Sequence, residues 1–454
     1  MLPKRFLTGL TVCLAFATAG AARAESLADA LAYGYEHSGL LEQNRALLRA
    51  ADEDVAIAFA ALLPIINWSA TAQTNNPRPL GTDLIQSSAQ VTAELTIYDG
   101  GANRLGIEAQ REVVLATRSQ LLQIEQQVLL RIVQAYVNVR RNEEFVSLRR
   151  NNVTVINRQL SAARDRFDVG EVTRTDVSLA EARLASARSL LSAAEGDLAQ
   201  AQAEYVAAVG RAPGSALQPV PAVPIAQSAE QARALALRSH PALEEAQHQV
   251  AAAEINIRRA ETAFVPNVTL QGTVRLDDEF DSTQNVGIVA GGPIYQGGRL
   301  SSQLRQIMAR RDAARGALIV TARQIEQNVT NAYAFLEVAR ASRDAFERQV
   351  AAQRQAFEGI REEATLGART TLDVLDAEQD FFDARANLVS AQIDETFATY
   401  QILSAMGVLT AEDLRLNVQI YDPSAYYDLV SDAPTITSEQ GRALDRVLEA
   451  IGGN

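Results

Sequence analysis

Apolar side chains recur at steps of three, four or seven residues along the longest uninterrupted segment of this chain. The segment runs from Ile107 to Val169, 63 residues without glycine or proline. The stripe consists of Leu121, Ile124, Val128, Ile132, Tyr136, Val139, Val146, Val153, Ile156, Leu160 and Phe167. This spacing predicts a single helix with a coiled-coil seam. At a rise of 1.5 Å per residue, the helix would be about 95 Å long.

Strict alternation of apolar and polar residues replaces the helical spacing in two other regions. In AQVTAELTIYDGG, Val91, Ala93, Leu95 and Ile97 alternate with Thr92, Glu94 and Thr96. In NVTLQGTVRLDD, Val268, Leu270, Val274 and Leu276 alternate with Thr269, Gln271, Thr273 and Arg275. Both patterns predict strands with one apolar face. That face could contact lipid, as in an outer-membrane barrel, or the core of a soluble sheet. A turn-rich stretch in each region separates two such segments and predicts a hairpin, with tips at Pro77–Gly81 and Asp278–Asp281.

The whole pattern occurs twice. Pro64 has its counterpart 202 residues later at Pro266, whereas Tyr98 of the YDGG motif has its counterpart 197 residues later at Tyr295. The second copy is therefore five residues shorter between Pro266 and Tyr295. A length change confined to one place indicates a loop, and internal repetition predicts two equivalent structural units.

The repeat defines the domain organisation. We predict a signal peptide at residues 1–24, a first repeat at 25–211, a proline-rich linker at 212–227, a second repeat at 228–407 and a tail at 408–454. Strands are predicted at about 65–98 and 267–295, and long helices at about 102–169 and 299–366. Gly316 and Gly359 each cost the second long helix about 1 kcal/mol in helix propensity and predict local bends.

The first residues have the features of a secretory signal. Lys4 and Arg5 precede the apolar run FLTGLTVCLAFATAG, and ARA at residues 22–24 fits a cleavage site before Glu25. A membrane helix is the alternative interpretation. Cleavage would remove the single cysteine, Cys13, and leave 42 − 3 = 39 basic against 55 acidic residues, a net charge of −16. This balance disfavours nucleic-acid binding, and a chain without cysteine excludes thiol chemistry.

Candidate chemistry is sparse, and we predict neither an enzyme nor a cofactor or metal site. The three histidines, His37, His240 and His248, lack the spacing of a metal site. The turns GEVTRTDVSLAEARL and GARTTLDVLDAEQDFF, which begin at Gly170 and Gly367, are equivalent in the two copies.

The carboxylates of these turns have two possible roles. Asp176 and Asp373 could serve only to favour a helix N-terminus. Asp376 differs, because Leu179 occupies its position in the first copy. An extra carboxylate at that position is not needed for capping.

The duplicated layout, the Y-x-G-G motif after the strands and the G-x-x-T-x-x-D-V-L-D-A turn together resemble the TolC family of outer-membrane channels over essentially the whole predicted mature chain. The resemblance implies a mainly helical fold with membrane strands, in which three chains form one twelve-stranded β-barrel and a helical tunnel across the periplasm. It also implies contact with outer-membrane lipid, a periplasmic adaptor and an inner-membrane ABC or RND transporter.

The resemblance assigns functional residues as well. The pore-constricting aspartates of the family correspond to Asp373 and Asp376, and its gate contacts correspond to Thr175, Asp176 and Arg369. The best-studied members of the family have a tyrosine three residues before the turn glycine, where this chain has Ala364. The gate is therefore expected to be weaker or differently built.

Three functions remain open at this point. The tail YDPSAYYDLV resembles that of secretion channels and favours the outer-membrane exit duct of a type I protein secretion system. A duct for drug or metal efflux is the alternative within the family. A periplasmic coiled-coil adaptor is the alternative from another class, and it would need the long helices but not the duplicated hairpins.

Overall fold

A computed structural model describes residues 24–74, 85–221 and 223–452. The helices are α1 (Leu27–Glu36), α2 (Gly39–Ala60), α3 (Ala102–Asp168), α4 (Arg174–Val209), α5 (Ala229–Ser239), α6 (Pro241–Glu261), α7 (Arg299–Thr365), α8 (Thr371–Met406), α9 (Ala425–Val430) and α10 (Glu439–Gly452). The strands are β1 (Ile65–Thr74), β2 (Ile85–Tyr98), β3 (Asn267–Asp277) and β4 (Ser282–Gly291). The predicted hairpin tip Pro77–Gly81 lies outside the described residues.

The two repeats have the same succession of elements, as the sequence predicts. Helices α3 and α7 both have 67 residues, and α4 and α8 both have 36. Helix α7 continues through Gly316 and Gly359 without interruption. No helix in the described part of the chain has an apolar stretch long enough to cross a bilayer.

The paired glycines of the Y-x-G-G motif allow each long helix to begin directly after the hairpin. Gly100 and Gly101 have φ angles of +66° and +88°, and Gly297 and Gly298 have φ angles of +58° and +83°. Residues that bear a side chain rarely adopt this left-handed backbone conformation, so glycine is required at the turn between hairpin and helix. In the first copy Asp99 fixes the turn, since its carboxylate accepts hydrogen bonds from the backbone N–H of Gly101 and Asn103, both at 2.8 Å.

The four strands form one antiparallel sheet in the order β1-β2-β3-β4. Its register confirms the predicted alternation, because apolar residues pair with apolar residues on one face. These pairs include Trp68 with Val91, Ile66 with Ala93, Leu95 with Leu270, Val91 with Val274 and Leu270 with Ile288. The pairing shifts by one residue between Thr96 and Tyr98, so that Tyr98 rather than Ile97 pairs with Val268. Strand β4 ends at Gly291, before the predicted limit at residue 295.

The helical core is centred on α3, which packs against α2, α4, α6 and α8. Most of the predicted stripe is buried: Leu121, Val128, Ile132, Tyr136, Val139, Val146, Ile156 and Leu160. Phe167, at the far end of the helix, is 42% exposed. Phe167 lies in the last turn of α3, beside the turn at Gly170, and the spacing of the stripe could not indicate its exposure.

Helix α7 is much less covered than α3, although the sequence predicts equivalent helices. Its buried residues are Ile325, Val329, Ala332, Leu336 and Ala339. Ile319, Val320 and Val338 are 56%, 66% and 63% exposed. The single chain therefore leaves apolar surface on its second long helix uncovered.

Glycines end the return helices, and the two positions differ in their surroundings. Gly210 after α4 and Gly407 after α8 have φ angles of +94° and +82°. A Cβ atom at position 407 would lie 2.9 Å from Pro241 Cδ, whereas one at position 210 would lie no closer than 3.7 Å to Tyr33 Cε1. The absence of a side chain at Gly407 thus allows α6 to pack closely against it, whereas no element packs as closely against Gly210.

We expect Gly407→Ala to destabilise the protein more than Gly210→Ala. Both substitutions place a side chain on left-handed backbone, at a cost of about 1–2 kcal/mol. Only the first adds overlap with Pro241. The midpoint of thermal unfolding of the detergent-purified variants is the measurement, and equal midpoints would contradict the prediction.

Candidate gate at the two helical turns

The turns that join the long helices to the return helices lie beside each other and enclose a cleft of about 700 Å³. Gly170 and Gly367, with φ angles of +82° and +78°, begin the two turns. The cleft is lined by residues of both repeats, among them Arg166, Glu171, Thr173, Asp176, Arg361, Ala364, Arg369 and Thr370. The fold therefore brings together the two motifs that the sequence singles out 197 residues apart.

Asp176 and Asp373 have the same local role. Asp373 accepts a hydrogen bond from the Thr370 hydroxyl at 2.8 Å, and that hydroxyl accepts one from the Asp373 backbone N–H at 3.2 Å. The corresponding distances between Thr173 and Asp176 are 2.7 and 3.3 Å. Each pair is a capping box that satisfies free N–H groups at a helix start.

Hydrogen bonding also keeps these carboxylates charged. The backbone N–H and hydroxyl of Thr370 hold the pKa of Asp373 below its usual value, and the hydroxyl and N–H of Thr173 do the same for Asp176. A lowered pKa means that the stabilisation is present above the ordinary pKa and is lost only as pH falls through the lowered one. Both aspartates thus have the helix-start role that the sequence suggested. This role does not exclude the predicted pore-constricting role of Asp373.

Asp376 lies one turn further along α8 and forms an ion pair with Arg183 of α4. Its side chain is 54% exposed and that of Arg183 is 43% exposed. The pair joins the first repeat to the second. Arg183 gives Asp376 a partner within the same chain, but it lies 193 residues away in sequence and no motif of the chain marks it.

Asp176 and Arg369, two of the three residues assigned to gate contacts, have local partners in this chain. Arg369 Nε donates to Glu363 Oε2 at 2.9 Å, within its own turn. Asp176 is bonded to Thr173, and Thr175 is exposed on the first turn of α4. Asp176 and Arg369 line the same cleft, as does the short side chain of Ala364. The gate-contact role of Thr175, Asp176 and Arg369 stays a prediction.

Further polar contacts join α3 to α8 above the turns. Arg141 donates to Asp394 at 2.5 Å, and Arg149 lies 3.8 Å from Asp383. Gln159 Nε2 donates to Glu378 Oε2 at 2.6 Å. We call these contacts and the Arg183–Asp376 pair the inter-repeat seam. Asp376, Asp383 and Asp394 are seven and eleven residues apart, so they share one face of α8, a signal that the sequence contained.

Comparison with known proteins assigns the family. The model of the outer membrane efflux protein family matches residues 36–211 and 232–408, which are the two repeats. The chain belongs to the outer membrane efflux protein family. It is therefore a channel protein of the outer membrane and not an enzyme.

Individual relatives agree with this assignment. The chain is 36% identical to the outer membrane efflux protein BepC of Brucella suis biovar 1, over 91% of this chain and 92% of BepC. It is 26% identical to the outer membrane protein TolC of Vibrio cholerae, over 86% and 92% of the two chains. It is also 26% identical to the alkaline protease secretion protein AprF of Pseudomonas aeruginosa, over 80% of each chain. These relatives confirm the resemblance to TolC.

Solved structures share the fold. The Campylobacter jejuni CmeC outer membrane channel superimposes with a TM-score of 0.76 over 90% of each chain, at 16% identity. The helical and sheet architecture predicted from the repeat is thereby confirmed.

The inter-repeat seam can be tested at Arg183. Arg183→Ala removes the partner of Asp376, and an exposed ion pair contributes about 0–1 kcal/mol. We expect a rise in channel open probability of up to about fivefold per chain in planar bilayers. Arg164→Ala is the matched control, since Arg164 pairs with Glu181 at 2.5 Å within the first repeat. Equal effects of the two variants would contradict a specific role of the seam.

Proposed function

We propose that this protein is the outer-membrane exit duct of a type I protein secretion system. In this proposal it works as a homotrimer that receives cargo from an inner-membrane ABC transporter through a periplasmic adaptor. The observation that carries the proposal is a duct-forming fold whose two turns meet at one end of the long helices. Sequence similarity over 80% of each chain to AprF, a relative named for protease secretion, supports the choice of cargo class.

The sheet favours a trimer. In the described chain, β1 and β4 are the edge strands of a four-stranded sheet. Its apolar face is exposed, with Trp68 at 80%, Val286 at 82% and Ile288 at 67%. Free strand edges are not tolerated in lipid, where every backbone group needs a partner. Three chains would join such edges into twelve strands, with the apolar face toward lipid.

The long helices favour the same assembly. The uncovered apolar residues of α7 would be buried against a neighbouring chain, as those of α3 are buried within this one. The helices are about 100 Å long at 1.5 Å per residue, a length suited to a duct across the periplasm. The turns would then lie at the periplasmic end, where the adaptor and transporter dock.

Asp373 and Asp376 would form the narrowest part of the duct. With three chains, six carboxylates would surround one axis, and acidic rings select cations in pores. Their exposure is consistent with a water-filled passage, because Asp376 is 54% exposed.

We expect the double variant Asp373→Ala, Asp376→Ala to have higher conductance and weaker cation preference than the parent in planar bilayers. The matched control is Thr173→Ala, which breaks the equivalent capping box of the first repeat and removes no carboxylate. If the double variant and the parent have the same conductance and ion preference, Asp373 is only a helix-start residue and Asp376 is only the partner of Arg183.

An efflux duct is the second candidate. It is favoured by the higher identity, 36%, to BepC, a protein named for efflux. In that case an adaptor and an RND or ABC transporter would deliver small molecules rather than polypeptides. The same constriction and seam would serve either cargo.

A deletion strain separates the two candidates. Deleting the gene should remove specific proteins from the culture medium, and a plasmid copy should restore them. Susceptibility to dyes, detergents and antibiotics is measured in parallel. Increased susceptibility with an unchanged set of secreted proteins would reject the secretion proposal and favour efflux.

A further inference from the structure

A buried polar cluster lies inside the inter-repeat seam, one helical turn from the proposed constriction. Glu378 of α8 and Asn152 of α3 are both 1% exposed, although each bears a polar side chain. Gln159, two turns along α3 from Asn152, donates to Glu378 Oε2 at 2.6 Å. The cluster therefore connects the long helix of the first repeat to the return helix of the second.

Several atoms of this cluster lack a partner within the described chain. They are Glu378 Oε1, Gln159 Oε1 and both polar atoms of the Asn152 side chain. Glu378 and Asn152 also line a cavity of about 20 Å³, which is large enough for one water molecule. Buried polar atoms are normally hydrogen-bonded. The protonation state of the Glu378 carboxyl therefore decides how many atoms of this cluster can form hydrogen bonds.

A neutral carboxyl suits these surroundings better than a carboxylate. Its O–H could donate to an amide oxygen of Asn152 or Gln159, directly or through water in the cavity, whereas a carboxylate can only accept. Burial raises the pKa of Glu378 to about 7 and outweighs the hydrogen bond from Gln159, which lowers it.

The neighbouring charged groups are already engaged with one another. Arg183 of α4 lines the same cavity but pairs with Asp376 of α8. Arg149 of α3 lies beside Asp383 of α8 at 3.8 Å. The cations that α3 and α4 place at this seam are thus matched by other carboxylates.

We propose that Glu378 is a proton-operated lock on the inter-repeat seam: the neutral acid holds the two repeats together, and its ionisation loosens them near the turns. The lock rests on the proposed duct function, because separation of the repeats at this seam would widen the passage at the turns. It adds a residue outside both the proposed aspartate ring and the gate contacts.

The direction of the pH effect follows from the raised pKa. The closed seam binds a proton that an opened, solvated Glu378 would release with its ordinary pKa near 4.5. Proton linkage then stabilises the closed seam fully below about pH 4.5, and this stabilisation is lost progressively as pH rises from about 4.5 through 7. Between pH 6 and pH 8 the closed-to-open ratio should fall about tenfold per chain.

The duplication supplies a matched control. Glu181 is the counterpart of Glu378 in the first repeat, 197 residues earlier. It is half-exposed and pairs with Arg164 at 2.5 Å. Glu378→Gln and Glu181→Gln therefore replace the same ionisable side chain at equivalent positions, one inside the seam and one outside it.

The first test measures single-channel opening in planar bilayers with the periplasmic side at pH 6, 7 and 8. The parent and Glu181→Gln should open more often as pH rises. Glu378→Gln should stay mostly closed at every pH, because its amide keeps the acceptor for Gln159 without a charge. If Glu378→Gln follows the parent, if the parent shows no pH dependence, or if Glu181→Gln abolishes it, the lock is rejected.

The second test does not depend on channel activity. Hydrogen exchange of residues 371–383 is measured in the detergent-purified protein at pH 6 and 8, with correction for the intrinsic rate. Protection should fall with pH in the parent and in Glu181→Gln, and stay constant in Glu378→Gln. Any other pattern of pH dependence among these three proteins rejects the lock. Absence of a channel in the first test, with the expected pattern intact, would count against the duct and not against the lock.

Discussion

Coverage of the apolar stripe of α3 is the constraint on which the rest of the structure depends. A helix of 67 residues is not held straight and in place by its own hydrogen bonds in water, because most helical stability in proteins comes from packing of one face. Ile132, Val133 and Tyr136 are fully buried, and the helices that cover α3 come from both repeats.

Polar residues on α3 also bond to the end of the second repeat and to the start of the tail. The Glu125 carboxylate accepts from the backbone N–H of Ala411 at 2.6 Å, and Gln126 Nε2 donates to the Gly407 carbonyl at 2.9 Å. Both side chains are buried, so these bonds form away from competing water. Packing and directional bonds together place the first long helix against the second repeat.

Local features of the sequence predicted much of this fold because they act over short distances. A stripe without glycine or proline specified α3, alternation specified the sheet faces, and Gly170 and Gly367 marked the turns. The capping roles of Asp176 and Asp373 follow from the Thr-x-x-Asp spacing. The register shift at Tyr98 and the exposure of Phe167 did not follow, because both depend on neighbours distant in the chain.

In the candidate site, too, local sequence was informative and contacts between distant segments were not. Its residues could be named from two equivalent turns, but their partners could not. Arg183 meets Asp376 only because α4 of one repeat packs near α8 of the other. Glu378 and Glu181 have equivalent positions in sequence, yet one is buried and the other is half-exposed. Burial differs because the repeats contact each other through unlike surfaces.

Because the two repeats contact each other through unlike surfaces, gene duplication has a mechanical consequence for the assembled channel. Six identical subunits in a ring would have six identical junctions, and one substitution would alter all of them. Three duplicated chains would have two sorts of junction, one inside each polypeptide and one between polypeptides. Arg183 and Asp376 have no equivalents of the same charge in the opposite repeat, where Asp380 and Leu179 stand. One sort of junction is thus free to evolve as a hinge while the other evolves as a latch.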